Sequence, residues 1–226
     1  MTGSMCALLV VAKAPVAGRS KTRLTPVYSP DAAAELAAAS LLDTLAAVRD
    51  TPAAAHVVAL TGDLDRAHRS VEVMSALAGF TVIAQRGCCF AHRLVNAHVD
   101  AAAVARCPVL QIGMDTPQVT STLLSAVTQT LVRPDVDAVL GPATDGGWWA
   151  LGVTTPDMAG VLANIETSRP DTGSRTLHGL QRYGCRVAEL DELSDVDTPD
   201  DVRTVVAELG AGSRFLAAVQ EHRPVS

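Results

Sequence analysis

The chain has 226 residues, 48% of them hydrophobic, and a formal net charge of −6. That length suits one domain, residues 1–226, burying roughly 70% of its unfolded surface, and the apolar content excludes disorder. No apolar run reaches the ~18 residues of a membrane span, the acidic balance argues against a nucleic-acid binder, and no signal peptide is expected. Five cysteines (Cys6, Cys88, Cys89, Cys107 and Cys185) are odd in number and irregularly spaced. Such usage suits reduced thiols in a cytoplasm better than a disulfide framework.

In chain order, residues 6–12 form a continuous apolar run, as a strand does when both faces are buried. The run breaks at Pro15 and Gly18 into a loop carrying Lys13, Arg19, Lys21 and Arg23, and no acid precedes Asp31. A strand that delivers a flexible cationic loop to a sheet edge is how α/β proteins hold phosphates. Solvated charges on a turn are the alternative, and either way a loop lysine such as Lys21 should make few packing contacts. Neither GxxxxGK[ST] nor GxGxxG follows the strand, so the familiar phosphate-loop motifs are absent.

Ser29-Pro30 reads as an N-cap and first helical residue, opening an Ala-rich helix over 31–48 with leucines along one side. Strands are predicted at 56–61 and 80–85, a helix at 64–77 and another at 90–105. A strand at 108–113 ends near Asp115, and Thr120 caps a helix running to Val132. Further strands start at Ala138 and at Trp148, separated by the turn Asp145-Gly146-Gly147, for which a hairpin is a sufficient reason. A helix at 172–183 stops at Gly184, a strand follows at 185–190, and Thr198-Pro199 opens a helix ending before Gly210. Strands alternating with helices imply a mostly parallel sheet covered on both faces, with no repeat or linker dividing the chain.

Ligands of such sheets bind at the carboxyl ends of the strands. Besides the cationic loop, those ends carry GMDTPQV (113–119), GPATDGGWWALG (141–152) and ELDELSDVDTPDD (189–201), the last with seven carboxylates and no base. Asp195 and Asp197, just before a helix, suit Mg2+ or Mn2+ with a substrate diphosphate; helix capping and a solvated acidic surface are the alternative. Asp115 ends an apolar strand, where an acid is costly unless solvated, paired or metal-bound, although turn formation explains many such residues. Of the adjacent tryptophans Trp148 and Trp149, strand alternation allows only one to line a pocket, the other being core. Cys88, Cys89 and His92 lack zinc-site spacing and read as small thiols packed at a strand–helix junction. The other histidines have no partner at a spacing that suggests a hydrolase triad.

The segments AKAPVAGRSKTRL, GMDTPQV, GPATDGGWWALG and SDVDTPDDV, in this order, resemble a family of small bacterial proteins of the GT-A fold assigned as glycosyltransferases. That family belongs to the nucleotide-diphospho-sugar transferase superfamily and is similar in turn to phospholactate guanylyltransferase. The resemblance runs from about Ala7 to Leu209 and implies one GT-A domain, a mostly parallel central sheet flanked by helices. It implies that Lys13, Gly18, Lys21 and Arg23 bind nucleotide phosphates and that Asp115, Asp195 and Asp197 hold Mg2+ or Mn2+. Asp115 and Asp145 would be catalytic, while Thr144, Gly146, Gly147 and Trp148 line the sugar or acceptor side. The chain departs from the family pattern at residues 87–93, GCCFAHR, where the family favours glycines and an acid.

Three functions follow as expectations. The first is a metal-dependent glycosyltransferase using a nucleoside-diphosphate sugar and a small-molecule acceptor. The second is a nucleotidyltransferase joining a nucleoside triphosphate to a small phosphorylated acid. The third is a nucleotide-binding protein of the same fold without catalysis. All three leave the donor, the acceptor and the oligomeric state open.

Overall fold

The computed structural model describes residues 6–222. Seven strands form one sheet: β1 (Ala7–Lys13), β2 (Ala55–Thr61), β3 (Thr81–Ala84), β4 (Val109–Ile112), β5 (Ala138–Pro142), β6 (Trp148–Val153) and β7 (Val187–Glu189). Their spatial order is β3-β2-β1-β4-β6-β5-β7. Pairings β1–β2, β1–β4, β2–β3 and β5–β7 are parallel, whereas β6 runs antiparallel to both β4 and β5. The expected mostly parallel α/β sheet is what forms. From β1 the chain builds outward through β2 and β3, then returns to place β4 on the other side of β1. That reversal opens a crevice at the carboxyl ends of β1 and β4, the place where open α/β sheets receive ligands.

Helices cover both faces: α1 (Pro30–Arg49), α2 (Ser70–Ala76), α3 (Phe90–Ala105), α4 (Ser121–Leu131), α5 (Thr172–Tyr183), α6 (Pro199–Val206) and α7 (Arg214–Glu221). Leu8 and Val10 of β1 pack with Leu41, Leu45 and Val48 of α1, with Leu124 and Val127 of α4, and with Trp149. On the other face Leu9 and Val11 meet Leu94, Ala97 and Ala101 of α3 and Leu180 of α5. Six of the seven β1 residues are therefore buried, which is why the strand reads as an unbroken apolar run.

A third cluster lies on the far side of α1. There Ala33, Leu36 and Ala39 pack against Leu24, Val196, Val202 and Val205 of α6, and Phe215 of α7. Helix α1 is buried on two sides, not along one stripe, and its alanines let two layers approach it closely. Asp43 ties α7 down by accepting hydrogen bonds from Ser213 Oγ (2.7 Å), Arg214 N and Phe215 N (both 3.0 Å). Leu24 follows the cationic loop and Val196 lies between the two acids Asp195 and Asp197. Their shared burial brings those segments together.

Most boundaries fall where the caps predict. Ser29 Oγ accepts from Ala32 N and Thr120 Oγ1 from Leu123 N, Thr198 and Asp201 form a capping box, and Gly184 ends α5 at φ 97°. The expected helix over 64–77 instead splits into a 3-10 turn, Leu64–Arg66, and the short α2, because Arg69 sits at φ 52° in the left-handed region. Three helical pieces were not expected, the 3-10 turn Thr22–Leu24, the 3-10 stretch Pro156–Asn164 and α7. No helix among the described residues is long and apolar enough to cross a membrane.

The tryptophans divide as alternation requires: Trp149 is 1% exposed in the core, while Trp148 is partly exposed. The indole Nε1 of Trp149 donates to the Asp191 carbonyl at 3.0 Å, and its ring fills the space above Gly141, where a Cβ would collide with it. Trp149→Ala should therefore cost about 3–5 kcal/mol in urea denaturation, as core aromatic truncations do. Trp148→Ala should cost far less, and Gly141→Ala should destabilise although it only adds a methyl group. Equal losses for the two tryptophan variants would contradict this packing.

Candidate active site

Lys21 stands at the centre of the crevice. Its backbone adopts a left-handed conformation (φ 50°) ahead of the 3-10 turn Thr22–Leu24, which turns the side chain inward. The ammonium pairs with Asp115 Oδ1 at 2.7 Å and donates a short hydrogen bond to the Val196 carbonyl. Its side chain is only 9% exposed, so the expectation of a loop lysine with few contacts is corrected. Val196 N in turn donates to the Asp115 carbonyl at 2.9 Å, closing a ring of contacts between the β1 loop, the end of β4 and the acidic segment. Arg23, exposed, pairs with Asp197, so part of the acidic run is neutralised by the cationic loop. Lys13, at the end of β1, donates through Nζ to the Arg19 carbonyl.

The cleft beside Lys21 has a volume of about 250 Å³. Asp115, Asp145, Asp195 and Asp197 line it together with Lys21, Gly147 and Trp148. Four segments separated widely in sequence thus meet around one cleft. Lys13, Gly18, Arg23, Thr144 and Gly146 do not line this cleft: Gly18 sits in an exposed turn at φ 71°, and Thr144 Oγ1 donates to Ser194 Oγ at 3.3 Å. Gly146 belongs to the turn behind the cleft, where φ is 87° and a Cβ would overlap the Pro170 carbonyl. Gly173 N donates to the Gly146 carbonyl at 2.8 Å, fastening the turn to the start of α5. Asp145 is exposed, and its Oδ1 accepts from Gly147 N at 2.7 Å.

Asp195 carries the unusual electrostatics. Its Oδ1 is sealed from solvent and has no hydrogen-bond partner. Burial, reinforced by the neighbouring Asp115 carboxylate and opposed by Lys21, pushes this carboxyl up to about 7, with smaller upward contributions from Asp145 and Asp197. Hard oxygen donors and an unsatisfied buried carboxylate fit a divalent cation such as Mg2+ or Mn2+. In the described residues the Asp115, Asp195 and Asp197 oxygens do not converge within 4.8 Å of one another, and Asp197 is occupied by Arg23. Asp115 is likewise paired, with Lys21, so Asp195 with its unpartnered Oδ1 is the group most in need of a cation, and the Asp115 carboxylate is the charged neighbour in the cleft that acts on it most strongly.

Several cleft residues were not singled out beforehand. Thr167, Ser168, Arg169 and Thr172 form one wall and Phe90 and Leu94 of α3 another. Nothing in the loop before α5 marks Arg169 as a site residue. Gln111 is different: it is 1% exposed and its Oε1 lacks a partner, and it is the sole polar residue within the four-residue strand β4. A lone amide in a strand buried throughout is a signal that could have been read.

Two variants test these electrostatics on metal-free protein. The folded state holds the Asp195 proton more tightly than the unfolded chain does, so stability falls as pH rises from about 3.8 to about 7 and levels off above. Asp195→Asn should accordingly raise the melting temperature at pH 8 and leave it nearly unchanged at pH 4. Lys21→Ala should lose about 1–2 kcal/mol at pH 8, a partly exposed pair costing less than a fully buried one. A melting curve of Asp195→Asn that shifts equally at both pH values would place the titration elsewhere.

Among solved structures, the chain is similar to a protein of Desulfovibrio desulfuricans G20 provisionally named a nucleotide-diphospho-sugar transferase. The two share 27% identity at a TM-score of 0.83, covering 96% of this chain and 95% of that one. It also resembles a cytidylyltransferase from Leptospira borgpetersenii serovar Hardjo-bovis (13% identity, TM-score 0.56, 96% and 93% covered). A third likeness is to CMP:2-keto-3-deoxy-manno-octonic acid synthetase complexed with CTP (14% identity, TM-score 0.55, 96% and 100% covered). The last two share the fold alone. No curated protein matches the chain. The model of the family DUF2064, described as an uncharacterized protein conserved in bacteria, matches residues 44–169, and with more than half of its length matched the chain belongs to DUF2064.

Proposed function

We propose that this protein is a transferase acting on a nucleotide-activated donor, with a nucleoside-diphosphate sugar as donor and a small molecule as acceptor. The observation that carries the proposal is the buried, unpartnered Asp195 carboxylate beside the Asp115–Lys21 pair, at the crevice where β1 and β4 diverge. Asp115 and Asp195 would hold Mg2+ or Mn2+, with Asp197 at the rim. When bound, the cation offsets charge on a departing diphosphate.

The chain's own groups supply the rest. Lys21 and Arg169 flank the cleft as cations for phosphate oxygens, and Lys13 and Arg19 lie in a groove joined to it through Lys21, Asp115 and Asp197. Fixed charges of this kind act where charge develops in the transition state, which is the largest contribution in such transfers. Trp148 with Phe90, Leu94 and Val11 gives the cleft an apolar wall suited to the C–H face of a sugar. Asp145, oriented by the Gly147 N–H, is the candidate to accept a proton from the acceptor hydroxyl. The provisional name of the Desulfovibrio relative supports the same reading.

A second reading, nucleotidyl transfer, is favoured by one observation. A further groove of about 370 Å³ is lined by Lys13, Arg19, Arg66 and Arg93 against the single acid Asp63. Four cations exceed what a diphosphate needs and would suit a triphosphate. Product analysis separates the two: a released nucleoside diphosphate marks glycosyl transfer, and pyrophosphate marks nucleotidyl transfer.

Binding tests the shared core of both readings. Calorimetric titration should show that nucleotide binds more tightly with Mn2+ than without, and by reciprocity Mn2+ more tightly with nucleotide. Mn2+ affinity should fall as pH drops below about 7, because the proton on Asp195 competes for the same oxygen. Asp195→Asn should abolish the Mn2+ dependence of nucleotide binding. Equal nucleotide affinities with and without Mn2+ in the parent protein would remove the cation from this function, and failure of any nucleotide or nucleotide sugar to bind would remove the function itself.

A further inference from the structure

Cys88 and Cys89 were expected to pack as apolar thiols at the β3–α3 junction, but both are exposed. The junction folds back tightly on α3: Gly87 adopts φ 143°, and a Cβ there would come within 2.9 Å of the Arg93 nitrogen and the His92 carbonyl carbon. Close approach of that glycine wraps the two cysteines around the first turn of the helix. Cys89 is its N-cap residue, and its carbonyl accepts from Arg93 N at 3.1 Å. Cys88 Sγ lies 3.0 Å from His92 Nδ1, and one donor atom from each of Cys88, Cys89 and His92 falls within 4.8 Å of the others. No other group of three His, Cys, Asp or Glu side chains among the described residues converges in this way.

We propose that Cys88, Cys89 and His92 form a binding site for one thiophilic cation, Zn2+ in particular, distinct from the carboxylate cleft. Two thiolates and an imidazole are the donor set that borderline-soft cations select, while Mg2+ and Mn2+ prefer carboxylate oxygens. Three protein ligands leave a fourth tetrahedral position for water. The N-terminal end of a 16-residue helix favours the negative charge that the thiolates bring. Binding expels the two thiol protons and needs no oxidant, since neither sulfur changes oxidation state. The sequence spacing gave no hint of this site because adjacent cysteines and a histidine three residues on match no zinc motif. The helical turn brings His92 back to Cys88, and the glycine bend turns both sulfurs to the same side.

Co2+ serves as the probe, added to the full chain kept reduced with a phosphine in excess Mg2+. The expected result is one equivalent bound, with a thiolate-to-cobalt charge-transfer band and tetrahedral ligand-field absorption, both lost when Zn2+ displaces it. Cys88→Ser, Cys89→Ser and His92→Ala should each weaken binding by at least about tenfold, a lost ligand costing no less than the lost outer-shell partner that costs 10–100-fold. Cys107→Ser, remote from the cluster in sequence, should leave the spectrum unchanged, as should Asp195→Asn. No charge-transfer band in the parent protein overturns the proposal. So does a band that survives in the Cys88→Ser, Cys89→Ser double variant, or full affinity in any one of the three single variants.

Discussion

The Lys21 ammonium is where the molecule is joined. It spans from the β1 loop to the Asp115 carboxylate after β4 and to the Val196 carbonyl, 175 residues away in sequence. A cation so enclosed is costly unless its protons find oxygens, and the geometry provides a carboxylate and a carbonyl for two of the three. Leu24 and Val196, both fully buried, carry the apolar half of the same junction. Side chains of α1, α6 and α7 meet there as well, so the outer helices hold the cationic loop against the acidic segment. Loops at the edge of a sheet are ordinarily its most mobile parts. Here the polar contacts of Lys21 and the apolar burial of Leu24 fix one such loop against Asp115 and Val196.

Asp195 shows the opposite side of that arrangement. Its sealed Oδ1 has no donor, and Asp115, Asp145 and Asp197 all raise its proton affinity. A protein free to optimise stability alone would place an asparagine or an apolar residue there. Groups perturbed by burial and by specific like charges inside a cleft are the ones that function retains at a cost in stability. Gln111 repeats the pattern from the floor of the same cleft, with an unpaired amide oxygen in a buried strand.

Much of this was legible in the residues. The strand and helix order follows from apolar runs and from caps whose geometry is local, such as Ser29-Pro30, Thr120 and Thr198. Likewise the Trp148/Trp149 division needs only the two-residue period of a strand. What could not be read depends on partners distant in the chain. The 3-10 stretch Pro156–Asn164 has only a weak apolar pattern, and α7, although amphipathic, is just eight residues long, too short for its pattern to stand out from a loop. Asp197 and Asp195, two residues apart, both line the cleft but differ in fate because Asp197 pairs with Arg23 while the Asp195 Oδ1 is sealed without a hydrogen-bond donor. The exposed sulfurs of Cys88 and Cys89 depend on the left-handed bend at Gly87, which a single glycine does not announce.

Charge exchange connects the site's stability to its proposed use. Without ligand, Lys21 neutralises Asp115 and Arg23 neutralises Asp197, so the cleft balances itself internally. Under the proposed function, a nucleotide phosphate would compete for those same cations, carrying more negative charge than either carboxylate. Once the cations turn toward phosphate, Asp115 and Asp197 lose their counter-ions beside an Asp195 that already resists ionisation. The carboxylates then repel one another through a partly desolvated space, where such interactions are far stronger than in water. A divalent cation is the species that relieves this repulsion, and its own charge is in turn balanced by the phosphate. Neither ligand completes the balance alone. On the proposed function the internal ion pairs would act as placeholders, each balancing a carboxylate until phosphate and cation together take over that role.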